Sequence, residues 1–347
     1  MKAVVLREGR LEVDVIDDPT PGPGQVLVRT LACGICGSDL HTVEHGEEMA
    51  ELSRETAEAA AASGLPTPEA LDLSRGLVMG HEFCAEVLEL GEGVEAPSVG
   101  DRVVSMPVVL DSRGIHPLGY SNEYPGGFGE MMVLSAGLCL RVPDTLDADT
   151  AALCEPMAVA VHAVNRAELS PSASVIVVGC GPIGLGVIAA ARASGCRRIA
   201  ATDLSQRRLE LAAAFGADEV FDASSRELKE VFATLPPGDV TVFEAVGVPG
   251  MIDRIIRAAR PGTRVVVVGV CMQEDSFRPL AAVTREVEIR FAFAYRPDEF
   301  ASTLQRLAEG ILDPRPMITA TVALDAVPGA FEQLRNPERH AKILVTP

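Results

Sequence analysis

The chain has 347 residues, 48% hydrophobic and 23% charged, which is long enough for two cores and too apolar for disorder. A formal net charge of −19 argues against a polyanion held by phosphate neutralisation, so no nucleic-acid partner is expected. Eight scattered cysteines, an N-terminus MKAVVLREGRLEV without a secretory pattern, and no run near the ~20 apolar residues of a membrane helix predict a reduced, cytoplasmic protein away from membranes.

Residues 1–40 alternate strand-like runs (AVVL, LEVDVI, QVLVRT) with turns such as PTPGPG and predict antiparallel β structure. Near its end, GICGSDLH packs a thiol, a hydroxyl, a carboxylate and an imidazole into the six residues from Cys36 to His41. Gly, Ser and Asp are ordinary turn residues and a lone Cys is usually core, so the stretch alone fits a turn as well as a site. From Glu47 to Leu73 the chain is Ala- and Glu-rich, a helical composition interrupted by Gly64 and Pro66. Strand patterns return with EFCAEVLELG and DRVVSMPVVL and continue to about residue 143.

Beyond residue 150 the rhythm is strand, helix, strand: SVIVVG, GPIGLGVIAAARASG, RIAATD, SQRRLELAAAFGA, TVFEAV, MIDRIIRAARPG, RVVVVGV. Unbroken β-branched runs imply strands buried on both faces, and the helices between them imply a parallel doubly wound sheet. After Arg296 the texture is mixed again, and KILVTP reads as a last strand. The expected class is α/β, with domains at 1–152 plus 297–347 and at 153–296. Lysine occurs only at Lys2, Lys229 and Lys342.

VIVVGCGPIG places Gly179, Gly181 and Gly184 in G-x-G-x-x-G spacing between a predicted strand and a predicted helix. The first glycine permits the tight turn, the second lets the backbone approach a pyrophosphate, and the third allows close helix–strand packing. Asp203 ends the next strand, where a carboxylate binds ribose hydroxyls and repels a 2′-phosphate, so NAD is expected over NADP. Arg207 and Arg208 stand nearby and offer the opposite preference.

GHEFCAEV carries adjacent His81 and Glu82, and LCEPMAVAVHAV carries Cys154 and Glu155. Thiolate, imidazole and carboxylate are zinc ligand types. Neighbours on a strand point to opposite faces, so His81 and Glu82 reach one metal only from a turn or a distorted strand end.

GICGSDLH, GHEF, EPMAVAVHAV and the glycine-rich turn, in this order along nearly the whole chain, resemble the zinc-dependent medium-chain alcohol and polyol dehydrogenases, in particular the sorbitol and threonine dehydrogenase-like branch. The resemblance implies a GroES-like catalytic domain built from both chain ends, a central Rossmann domain for NAD, and a substrate cleft between them. It places Cys36, His81 and Glu82 or Glu155 around one catalytic zinc, the last directly or through water, with Cys154 as the rival of Glu155. It makes Ser38 the acceptor of the substrate proton, His41 the next carrier, and Asp39 the acceptor of the spare His81 N–H. Gly34 and Gly37 are expected to let the backbone turn around the ion. Pro182, Ile183, Arg208, Val246, Val268, Gly269 and Val270 join the three glycines and Asp203 around the cofactor.

Many relatives hold a second, structural zinc with four close cysteines, but here the region is SMPVVLDSRGIHPLGYSNEYPGGFGE, without one. One zinc per chain is therefore expected, with His116 a hydrogen-bonding loop residue. The 47–73 stretch exceeds what relatives carry, and two readings stay open, a cover for the substrate or an oligomer contact. The implied activity is hydride transfer between a secondary alcohol, polyol and sugar-like ones included, and NAD, in a homodimer or homotetramer. The alternatives are a zinc-free enone or quinone reductase, which has no need of Cys36, His81 and Glu155, and a dinucleotide-binding sensor, which has no need of Ser38 and His41.

Overall fold

A computed structural model describes residues 1–170 and 172–347. The chain forms two compact units: Met1–Glu155 with Ile318–Arg335 and Lys342–Pro347, and Pro156–Met317 with Asn336–Ala341.

The first unit is built on a seven-stranded sheet. Its order is Cys139–Arg141, Arg102–Ser105, Glu82–Leu90, Gln25–Gly34, Lys342–Val345 and Ile318–Val322, with Met131–Ser135 also paired to Gln25–Gly34. Gln25–Gly34 is central because it buries most of its residues, and its antiparallel register with Glu82–Leu90 sets Gly34 opposite Glu82. The final strand, KILV, is buried throughout and lies beside the same end, with Leu344 opposite Gly34. Both chain ends thus close one core around Val26, Val28, Phe128, Met132, Ile343 and Val345. The Ala-rich stretch is helical over Gly46–Ala62 and stops before Gly64, which has φ +67°. The remainder to Leu73 is irregular, as its two prolines require.

In the second unit six parallel strands are ordered Glu219–Asp222, Arg198–Asp203, Ser174–Val178, Val240–Glu244, Arg264–Val267, Glu288–Phe291. The order reverses between Ser174–Val178 and Val240–Glu244, and both strands are fully buried, as two-sided cover by helices demands. Residues 297–317, assigned by texture to the catalytic domain, cluster with this unit. Helix Pro297–Ala308 explains the shift: Phe300, Leu304 and Leu307 are buried, and Glu299 takes bonds from His162 and Asn165, each at 2.7 Å. Among the described residues no helix is long and apolar enough to cross a membrane.

Candidate active site

GICGSDLH leaves the central strand after Gly34 and becomes the short helix Gly37–Glu44, with Cys36 at its N-cap. Asp39 sits in the first turn, and its Oδ2 accepts the Cys36 N–H at 2.8 Å, satisfying a donor that a helix start leaves orphaned. Ser38 and His41, three residues apart, share a face of this helix. His81 precedes the strand Glu82–Leu90, so the two residues escape strand alternation. Gly80 makes that exit possible, with φ +97° and a missing Cβ that would meet Phe128 and Cys33 at 2.8–2.9 Å.

Cys36, His81 and Glu82 each present a ligand atom within 4.8 Å of the others, the one such group of three among the described residues. Ser38 Oγ lies 3.5 Å from His81 Nε2. Asp39 Oδ1 faces His81 Nδ1 at 3.5 Å, longer than a hydrogen bond, so the shorter bond of Asp39 goes to the loop. Burial alone would push His81 down, but the Tyr120 phenol, Asp39 and Cys36 outweigh it and hold the imidazole well above its ordinary value. Burial, with His45 second, lowers His41, whose Nδ1 is buried without a hydrogen-bond partner among the described residues.

Two residues here had no motif to announce them. Lys342 is fully buried and gives its Nζ to Glu82 Oε1 at 2.8 Å, Glu82 Oε2 at 2.6 Å and the Ile35 carbonyl at 2.9 Å. A scarce lysine opening an apolar strand was the available signal. Tyr120 sets its ring 5.6 Å from that of His81. It is one of two tyrosines in its loop, and nothing in the sequence separates it from Tyr124.

Glu155 lies outside the three-residue donor group. It begins helix Cys154–Ala167 beside Cys154, whose buried thiol is pushed well above its ordinary value by burial, then by Glu155 and Cys84. Gly34 and Gly37 do not adopt left-handed backbone, and Gly37 has open space around it. Gly34 matters for another reason than turning: a Cβ there would fall 2.1 Å from Glu82 Oε2. His116 bonds Glu69 at 2.7 Å and Asp111 at 2.9 Å.

In the second unit the glycine-rich turn has three distinct roles. Gly179 has φ +93°, a Cβ on Gly184 would fall 1.9 Å from the Gly179 carbonyl, and Gly181 has nothing within 4 Å of its missing Cβ. That open cradle precedes helix Pro182–Ala193, where Pro182 has no N–H and the amides of Ile183 and Gly184 are the first-turn donors without an intrahelical partner, turned to where a pyrophosphate would lie. Asp203 is buried and accepts the Cys180 N–H at 2.7 Å and the Ser205 N–H at 2.8 Å, one on each oxygen. Arg207 is exposed, and Arg208 keeps a buried Nε without a partner among the described residues. Glu244 ties the neighbouring strand ends together through the N–H groups of Val246, Gly247, Val268 and Gly269, leaving Val246 and Val270 partly exposed at the carboxyl edge.

Comparison with known proteins adds to this geometry. A family described as "Alcohol dehydrogenase GroES-like domain" matches residues 22–144, and one described as "Zinc-binding dehydrogenase" matches residues 182–309. The (R,R)-butanediol dehydrogenase of Bacillus subtilis (strain 168) is 32% identical over 347 residues, covering 97% of this chain and 96% of that protein. A crystal structure of 2R,3R-butanediol dehydrogenase from Bacillus subtilis has TM-score 0.82 at 31% identity, covering 100% of this chain and 99% of that one. A structure from Sinorhizobium meliloti 1021 bound to NADP has TM-score 0.83 at 28% identity, with the same coverage.

Proposed function

The chain belongs to the zinc-binding, medium-chain alcohol and polyol dehydrogenase family, and from that premise we propose that it oxidises a secondary alcohol bearing a further hydroxyl, reversibly, with NAD. The observation that carries this is the Cys36, His81 and Glu82 donor group with Ser38 beside it. The donor set is of the zinc type, and Gly181 provides the cradle a dinucleotide needs.

Cys36, His81 and Glu82 would hold the zinc, with Glu155 reaching it through water. When bound, zinc supplies Lewis acidity at the substrate oxygen and the dinucleotide supplies a hydride acceptor. Ser38 Oγ takes the hydroxyl proton, and His41 Nδ1 is the next base on the same helix face, kept neutral by its burial. Lys342 balances the buried Glu82 carboxylate, and Asp39 fixes the start of the helix that carries the relay. One zinc per chain is proposed because residues 106–127 contain no cysteine.

The preference for NAD rests on Asp203, which ends the strand after the fingerprint, where a carboxylate would bind ribose hydroxyls and repel a 2′-phosphate. A homo-oligomer is supported by the edge strand Glu288–Phe291, which leaves Phe291 66% and Phe293 90% exposed. Cysteine usage supports a cytoplasmic location. A zinc-free reductase would not need the donor group, and a sensor would not need Ser38 and His41.

The test loads the protein with zinc and follows NAD reduction with a panel of secondary alcohols and diols. Ser38→Ala should lower turnover on the order of 10²–10⁴-fold while zinc content and melting temperature stay close to wild type. Equal loss of zinc or of thermal stability would return Ser38 to a structural role.

A further inference from the structure

We propose that Tyr120 is a substrate-recognition residue, its phenol donating to the oxygen adjacent to the reacting hydroxyl of a vicinal diol, and that Glu69 is the positioning residue that holds it there. The inference rests on the function proposed above.

Tyr120 belongs to the loop that stands where many relatives hold a structural zinc. Two contacts bring it to the active site: its ring lies 5.6 Å from that of His81, and the missing Cβ of the preceding Gly119 would sit 3.4 Å from His81 Nδ1. Gly119 has φ +85°, a conformation that lets the loop lie this close. A phenol has one proton to give and two lone pairs to accept with. The phenolic proton can therefore go to a second substrate oxygen beside the one Ser38 serves, leaving the Ser38 proton for His41. On a substrate, the adjacent carbon offers that oxygen. Tyr120 is only partly buried.

The loop is pinned from both sides of Tyr120 by one carboxylate. Glu69 Oε2 takes His116 Nδ1 at 2.7 Å and the Ser121 hydroxyl at 2.5 Å, while Glu69 Oε1 takes the Asn122 N–H at 3.0 Å. Asp111 holds the far ring nitrogen of His116 at 2.9 Å and the Tyr124 hydroxyl at 3.0 Å. Glu69 itself is docked by its own N–H on the Ile115 carbonyl at 2.8 Å. It lies within the 47–73 stretch, which thereby acquires a task at the site.

The experiment compares a vicinal diol with the matching mono-alcohol, using butane-2,3-diol and butan-2-ol, at equal zinc content. In Tyr120→Phe the ratio of kcat/KM for the diol over the mono-alcohol should fall about tenfold, the worth of one hydrogen bond. Calorimetric titration of the zinc-loaded protein with the diol, without dinucleotide, should show the same weakening without turnover. In Glu69→Ala the ratio should fall toward that of Tyr120→Phe, and hydrogen exchange at the Asn122 amide should accelerate. An unchanged ratio in Tyr120→Phe overturns the recognition role while leaving the dehydrogenase reading intact. Unchanged exchange at Asn122 in Glu69→Ala overturns the positioning role. Absence of NAD reduction with either alcohol overturns both the inference and the function it rests on.

Discussion

The first unit builds its site from buried side chains that hold one another, whereas the second builds its own largely from backbone freed of side chains. Around Cys36 and His81 the fixed points are Asp39, Glu82 and Lys342, joined by charge and hydrogen bonds, with the Tyr120 ring beside His81. Around the dinucleotide fingerprint they are Gly179, Gly181 and Gly184, where any Cβ either clashes or fills the ligand's place. A site of the first kind should fail when a charge is removed. A site of the second kind tolerates charge changes and is sensitive to bulk, with Asp203 the side chain that crosses the divide.

The largest break is expected at Lys342. Lys342→Met leaves the Glu82 carboxylate buried without its cation, which costs about 3–5 kcal/mol of stability. Urea unfolding reads the loss, and the double variant Lys342→Met/Glu82→Gln should recover most of it, because no charge is then stranded. A single variant as stable as wild type would mean that the first unit does not depend on this pair.

Asp203 sharpens the comparison from the other side. Its two oxygens already hold the Cys180 and Ser205 amides, so it sets the shape of the turn and also presents a charge. Asp203→Ala should lower the ratio of kcat/KM for NAD over NADP about tenfold or more, as loss of a hydrogen bond to a charged group predicts. Arg208, with its partnerless Nε, or Arg207 is then free to meet a 2′-phosphate. Kinetics with both dinucleotides decide it, and a wild type that prefers NADP would reverse the assignment.

The same division explains what could be read in the sequence. Gly179, Gly181 and Gly184 were legible because backbone requirements leave a fixed spacing, and the buried strands of the second unit because two-sided burial leaves unbroken β-branched runs. Cys36, His81 and Glu82 were legible as residue types, since few side chains bind zinc. Their supports were not. Lys342 meets Glu82 across 260 residues, by strands that pair only in the fold, and no local pattern records such a partner. Tyr120 and Glu69 sit in irregular chain whose course is set by contacts rather than by periodicity. The domain boundary near residue 296 moved for a similar reason: helix Pro297–Ala308 has an ordinary amphipathic pattern, and only Glu299 with His162 and Asn165 shows which core it joins.

The smallest expected effect is at His41, and it separates a relay from a structural ring. Burial, then the neighbouring His45, hold its folded-state value below the ordinary 6.5. On acidification the unfolded chain therefore takes up this proton first. The stability His41 contributes is present above 6.5 and erodes as pH falls through the lowered folded-state value. Because the ring is only half-buried, solvent screening keeps that loss below about 1 kcal/mol. His41→Ala should remove the acid-side erosion, seen as closer agreement between urea midpoints at about pH 5 and pH 8, on either side of the ordinary imidazole value. Its turnover should fall by less than that of Ser38→Ala, because water can take the proton from Ser38 once the ring is gone. The deficit should shrink as pH rises, since hydroxide then replaces the missing base. A deficit independent of pH, accompanied by a lower melting temperature at every pH, would make His41 a packing residue and end the relay at Ser38.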